Sequence, residues 1–265
     1  MRYNLKMAGS GISLPFAFGL PAGTDSARRP TRGRPPGARY PRPVMAAAYA
    51  LQPVEDLDSA AVDAVRRIYE EGFPERLRAD FRSLTGERED GETALALVGG
   101  RQPCGFAMLR RLGDTGWTYL RYFVVEQRLR GHGLGGIMWN QLTARLRADG
   151  CTLLVFDVED PGEPGCGRDE SQIRSRRVGF YQRHGAVVLP VRGYRTPHGS
   201  AGDDGWTPML LMAAPVAAGV RAPGAGEARA IVSAVYQHRW RLDPGHPQIA
   251  ATQVAAPDSP DRTQE

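Results

Sequence analysis

Val124-Val125-Glu126-Gln127-Arg128-Leu129-Arg130-Gly131-His132-Gly133-Leu134-Gly135-Gly136 is the stretch on which the fold turns. An apolar run from Trp117 to Val125 ends there. A helical pattern begins there, with Leu134, Ile137, Met138, Leu142 and Leu146 on one side. A glycine-rich turn between strand and helix gathers backbone N–H groups at the positive end of the helix dipole. Such a turn binds phosphate oxygens without a charged side chain. Gly131, Gly133 and Gly135 let the backbone approach a phosphate closely, and Arg128 and Arg130 add charge beside it.

Glycine spacing alone leaves several readings. A nucleotide-binding loop of the Walker A kind ends in Gly-Lys-Ser/Thr, which is missing here. A dinucleotide loop also joins strand to helix, and Asp157 stands about 20 residues on, where such a site places its ribose-binding acid. Two features oppose that reading. Five residues, Glu126 to Arg130, separate the strand from the first glycine, and too little chain follows to complete a doubly wound sheet. A bare turn with no ligand is the remaining alternative.

Upstream of the loop, Thr93–Val98, Cys104–Leu112 and Trp117–Val125 read as three strands. Gly99-Gly100-Arg101-Gln102 and Gly113-Asp114-Thr115-Gly116 connect them tightly, as in an antiparallel meander. Before them come a short strand over 47–54, a helix capped at Asp58-Ser59 and ended by Gly72-Phe73-Pro74, and a second short helix over about 75–84. Downstream come the helix over 134–148, an apolar strand over 152–158, a helix near 170–184 and two strands, 186–191 and 207–212. The order β-α-α-β-β-β-α-β-α-β-β, with a C-terminal helix over about 227–240, predicts an α/β (α+β mixed-sheet) fold. The expected organisation is an Arg/Pro/Gly-rich disordered arm (1–44), one domain (45–214), a linker and docked helix (215–242) and a disordered tail (243–265).

Of the 265 residues, 42% are hydrophobic and 24% charged, and the formal net charge is +5. The charge is uneven. Residues 1–44 hold eight bases against Asp25, leaving 26 bases and 28 acids in the remainder. A near-neutral body argues against a nucleic-acid-binding face. Lys6 is the only lysine. Three cysteines without CxxC spacing (Cys104, Cys151 and Cys166) fit a reducing compartment and no metal site. With no apolar run long enough for a bilayer and no secretory signal, a cytoplasmic protein without membrane partners is expected.

The segment Arg128–Gly133 resembles the [Q/R]xxGx[G/A] stretch of the GNAT superfamily of N-acetyltransferases, with Arg128, Gly131 and Gly133 in its three fixed places. Gly179-Phe180-Tyr181-Gln182-Arg183-His184-Gly185-Ala186 is similar to that family's FYxxxGF stretch. The resemblance covers about two-thirds of the chain and implies an acetyl-CoA-dependent acyltransferase. It also implies a splayed central strand pair: the strand ending in Phe123, Val124 and Val125 would part from the Leu153–Val158 strand and line the pantetheine arm. The amides of Arg130, Gly131, His132, Gly133, Leu134, Gly135 and Gly136 would hold the pyrophosphate. Tyr181 would protonate the departing thiolate, a role suited to a phenol, which stays protonated at neutral pH.

Many members carry a basic glutamate on the strand before the loop. Here those positions are Tyr119 and Arg121. Asp157 and Glu159 alternate on one face of the neighbouring strand, and Glu159, nearer the opening, is the expected base, with Glu70 and Glu71 as fallbacks. Arg174 stands where the family commonly has asparagine, which unsettles the geometry before Tyr181 or adds a phosphate contact. His132 is expected to bind through its backbone. Trp117, Tyr119, Tyr122, Tyr194, Trp206 and Trp240 pack the core or line an acceptor pocket.

Direct attack by the amine in a ternary complex is favoured, because no Cys-His pair is placed as an acyl carrier. The competing reading is a degenerate acyl-CoA-binding sensor. The expected partner is a small-molecule or peptide amine. Neither metal nor nucleic acid is expected, and homodimerisation is left open.

Overall fold

The computed structural model describes residues 48–255, apart from 74, 76, 77, 87 and 198–204. The expected arm over 1–44 and the end of the expected tail, 256–265, lie outside the described residues. The strands are β1 (Tyr49–Pro53), β2 (Glu92–Gly99), β3 (Gln102–Arg111), β4 (Trp117–Val125), β5 (Leu153–Glu159), β6 (Val187–Val188), β7 (Val191–Arg192), β8 (Arg195–Thr196), β9 (Thr207–Pro215) and β10 (Gln253–Val254). The helices are α1 (Ser59–Gly72), α2 (Phe81–Thr85), α3 (Leu134–Ala148), α4 (Arg168–Arg183), α5 (Ala225–Ala234) and α6 (Pro247–Ala251). A π-turn, Val235–Arg239, continues α5.

The main sheet runs β1-β2-β3-β4-β5-β9-β6, with β8 beside β9. Every pair is antiparallel except β4–β5, which the α3 crossover joins in parallel. The expected mixed sheet and its order are therefore present, with extra short strands near the C-terminus. The single strand expected over 186–191 splits into β6 and β7, because Pro190 has no N–H to donate to a ladder. The short helix expected over 75–84 forms instead at Phe81–Thr85, where the Asp80 carboxylate accepts from Ser83 N at 3.2 Å. Asp58 caps α1 through Ala61 N at 2.8 Å.

Side-chain alternation along the strands builds two faces. Leu154, Phe156 and Val158 of β5 join Leu120, Phe123 and Val125 of β4 under α3 and α4, around Met138, Trp139 and Tyr181. The opposite face has two parts. Tyr122 and Val124 lie under α1 with Val65, Ile68 and Tyr69. Tyr119, Leu153, Val155 and Leu211 lie under α5 and its π-turn with Ile231, Val235 and Tyr236.

The expectation of a disordered tail from 243 fails for its first part: α6 and β10 fold back, and β10 pairs with β7. Tyr236 Oη holds this return, donating to Arg195 O (2.9 Å) and bonding Thr252 Oγ1 (3.1 Å). Among the described residues no helix is long and apolar enough to cross a membrane.

Gly105 of β3 lies against Met138 of α3. A Cβ there would meet Val124 O at 3.0 Å and Met138 Sδ at 2.8 Å. Gly105→Val is expected to cost about 1–3 kcal/mol of stability by overpacking, read as a lower urea midpoint at unchanged slope.

Candidate active site

The site begins where the sheet comes apart. The β4–β5 ladder holds only three pairs and ends at Tyr119↔Val155. Two residues later, Arg121 is an extra residue against β3: Met108 faces Tyr122 and Leu109 faces Leu120. A bulge raises local twist and bends the strand, so β4 swings away from β5 as soon as pairing stops. Arg121 is held in this position by Glu92, which also accepts from Arg110 at 3.0 Å. All three side chains are buried.

At the far end of β4, Glu126 N donates to Cys104 O at 2.8 Å. Antiparallel alternation then turns the backbone groups of Val125 and Phe123 away from β3 and toward the gap. The Val125 carbonyl accepts from Arg130 Nε at 3.0 Å.

Beyond β4 the loop presents amides. Gly131 and Gly133 take φ of 81° and 85°, the left-handed region that favours glycine. Gly133 caps α3. Gly136 N and Ile137 N return to Gly133 O. Among the described residues, the backbone N–H groups of Gly131, His132, Gly133, Leu134 and Gly135 find no backbone acceptor outside regular elements. Residues 131–133 are exposed. His132 folds back on its own loop, Nδ1 lying 2.9 Å from Arg130 O, and Arg128 is exposed and paired with Glu126. The positive charge at the loop thus flanks the amides, while the amides themselves stay available to an anion.

Tyr181 lies on the α3/α4 side of the gap. Its ring stacks on Phe156 (4.4 Å between centroids) and Trp139 (5.3 Å), with Phe123 of β4 at 6.4 Å. The side chain is fully buried and its hydroxyl has no hydrogen-bond partner. Burial raises the phenol well above its ordinary pKa, so it stays a proton donor. A buried, unsatisfied hydroxyl is costly. Its position fits a ligand atom arriving in the gap.

Glu159, the expected base, is engaged elsewhere. One oxygen accepts from Arg177 and the other lies 3.9 Å from Arg174. Arg177 is 2% exposed, so Glu159 neutralises a buried guanidinium and ties β5 to α4. Arg174 bonds Asp160 O (3.0 Å), Glu163 (2.5 Å) and Glu170 (3.1 Å), which fastens the loop after β5. Its charge is consumed there and adds nothing to a phosphate site. Glu70 and Glu71 are exposed at the end of α1.

Asp157 is the acid buried on β5 just past the last β4–β5 pair. It is 1% exposed. Its Oδ2 accepts from Tyr119 (2.5 Å) and Tyr194 (3.0 Å), while Oδ1 has no partner. Burial raises its pKa from 3.8 to about 6, against the lowering effect of the two tyrosine bonds and of Arg239. Arg239 lies over the Tyr119 and Trp240 rings, at 5.7 and 4.1 Å from their centroids. Tyr194 and Arg239 were not singled out for this role in the sequence, because they reach Asp157 from 37 and 82 residues away. Only the apolar-polar alternation of β5 marks Asp157's face. Trp117, Trp206 and Trp240 are partly buried packing residues, and Tyr122 is core. Among the described residues no cluster of His, Cys, Asp and Glu could hold a metal ion.

A sequence model described as the acetyltransferase (GNAT) family matches residues 60–185. No curated protein matches the sequence. Among solved structures, one from Bacteroides thetaiotaomicron assigned to the GNAT family covers 73% of this chain and 99% of its own, with TM-score 0.57 and 23% identity. The ribosomal-protein-S18-alanine N-acetyltransferase from Escherichia coli covers 65% and 97%, with TM-score 0.45 and 15% identity. An aminoglycoside 6′-N-acetyltransferase complexed with coenzyme A covers 66% and 99%, with TM-score 0.47 and 15% identity. At these identities the structural likeness speaks to fold alone.

The raised Asp157 pKa has a signed consequence. The folded state keeps this proton up to about pH 6 and the unfolded state only to 3.8, so wild-type stability falls across that window and stays lower above it. Asp157→Asn lacks this penalty. Its melting temperature relative to wild type is expected to climb between about pH 4 and 6 and then level off, a gain on the order of 3 kcal/mol. A pH-independent difference in calorimetry would contradict the assigned ionisation.

Proposed function

We propose that this acyltransferase, whose residues 60–185 match the acetyltransferase (GNAT) family, moves acetyl from acetyl-CoA to a primary amine by direct attack in a ternary complex. The observation that carries this reading is the orphaned Tyr181 hydroxyl, buried beside the forked strands. A thioester supplies an activated acyl group and a basic thiolate that needs a proton on departure. Tyr181 is the donor for that proton, kept protonated by its burial.

Other residues fit the same ligand. The amides of Gly131–Gly135 at the start of α3 suit the pyrophosphate. The backbone groups of Phe123 and Val125, turned from β3 into the gap, suit an extended amide-bearing arm added beside β4 like a short strand. Direct attack is supported by the cysteines. Cys104 and Cys151 are buried and bond the carbonyls of Leu97 and Leu153, and burial lifts the Cys104 thiol to about 11, the opposite of an activated nucleophile. A sensor that retains acyl-CoA without turnover gives no use to a buried acid. The two named relatives act on an alanine of a ribosomal protein and on an aminoglycoside, both of which present amines. The same acceptor class is proposed here.

Saturating acetyl-CoA should raise the melting temperature, and an unshifted melt would reject the reading. Gly131→Val, which must strain a φ of 81°, should weaken that shift. Tyr181→Phe should slow thiol release roughly 10- to 1,000-fold while keeping the acetyl-CoA-induced shift. Wild-type rates in this variant would remove Tyr181 from the chemistry.

A further inference from the structure

Two buried polar atoms without partners flank one gap from opposite sides. Tyr181 Oη, a donor, lies among the side chains of the α3/α4 face, against Phe156. Asp157 Oδ1, an acceptor, belongs to the next residue of β5 and therefore points to the other face, where Tyr119 and Val155 lie. Both stand just past Tyr119↔Val155, the last pair of the β4–β5 ladder. A carbonyl held between the splayed strands would have an acid toward its leaving group on one side and a carboxylate toward its attacker on the other. That arrangement suits an acyl transfer in which nucleophile and leaving group approach from different directions.

We infer that Asp157, not Glu159, takes the proton from the attacking amine. The inference rests on the acetyl-transfer reading above. In the step, the amine nitrogen forms a bond to the acyl carbon and gives a proton to Asp157 Oδ1. The carbon–sulfur bond breaks, and the thiolate takes the Tyr181 proton. Asp157 returns its proton to solvent and Tyr181 regains one from it, so acetyl-CoA and amine yield amide and free thiol.

The surroundings equip Asp157 for this exchange. Tyr119 from β4 and Tyr194 from the segment before β8 fix Oδ2 and leave Oδ1 open. Arg239 from the π-turn opposes the burial cost of the charge, and Glu159 on its own strand adds to it. The balance leaves the carboxyl at about 6, ionised at neutral pH yet basic enough to hold a proton in passing. Glu159 has no such freedom, because its oxygens face Arg177 and Arg174.

The test follows thiol release from acetyl-CoA by the full chain over about pH 5–9, with glycinamide, spermidine or water as nucleophile. Wild-type activity should rise through about pH 6. Asp157→Asn, isosteric and still able to accept both tyrosine bonds, should lose that acidic limb and at least about 100-fold in kcat, while its acetyl-CoA-induced melting shift persists. Tyr194→Phe removes one bond to the carboxylate and should move the limb to higher pH, which a purely structural role for Asp157 would not do.

Retention of rate and limb in Asp157→Asn overturns the inference. So does loss of the limb in Glu159→Gln instead, an unmoved limb in Tyr194→Phe, or a wild type that binds acetyl-CoA and releases no thiol to any of the three nucleophiles. Absence of any acetyl-CoA-induced shift in wild type would instead sink the acetyl-transfer reading itself.

Discussion

Three hydrogen-bonded pairs between β4 and β5, and no fourth, set the geometry on which the molecule depends. Parallel strands joined by a helical crossover ordinarily stay paired along their length, because every unpaired N–H and C=O in a buried sheet is expensive. Here the Arg121 bulge bends β4 outward at the point where pairing stops, and a buried Glu92 bridging two arginines keeps the bend in place. The gap that results is bordered by backbone groups of β4, a buried phenol and a buried carboxyl. The loop that follows β4 extends the same line of backbone donors to the start of α3.

The gap also explains why its walls are so heavily braced. Aromatic rings hold Tyr181 from Phe123, Phe156 and Trp139. Arg177 and Arg174 lash β5 and its loop to α4 through Glu159 and Glu163. On the other face, the π-turn swings Arg239 inward over Tyr119, and the C-terminal chain seals that region by pairing β10 with β7. A π-turn is an unusual backbone, found mostly at functional positions. Here it brings a cation toward Asp157, where a regular helical continuation would point another residue.

What could be read from the chain was what is encoded locally. The meander shows in tight Gly-containing connections, the turn before α3 in its glycines, and the two helices flanking β5 in their periodicity. The mixed sheet follows from that order, and its splayed pair from the family resemblance of the loop. The strand-by-strand detail near the C-terminus was less legible: Pro190 divides one apolar run, and β10 finds β7 across about sixty residues for which no local pattern speaks. The surroundings of Asp157 and Glu159 were hidden for the same reason. Their spacing on β5 places both on one face, and proximity to the opening favoured Glu159. Its partner Arg177 sits on a helix 18 residues later, while Asp157 is framed by Tyr194 and Arg239 from still farther away. Ion pairing and hydroxyl contacts of that kind are properties of the folded chain, with no signature in sequence spacing.

Under the proposed acetyl transfer, the arginine bracing bears on the protein's exposure to its acyl donor. A chain that holds a reactive thioester risks acylating itself, and the side-chain amine of lysine is the group at risk. Every cation in the ion pairs described here is a guanidinium, protonated at any physiological pH and a poor nucleophile. Residues 7–265 contain no lysine at all. The salt bridges that hold the gap open are thus built from the one basic side chain that its chemistry leaves untouched, so prolonged occupancy by the acyl donor would not erode the scaffold that binds it.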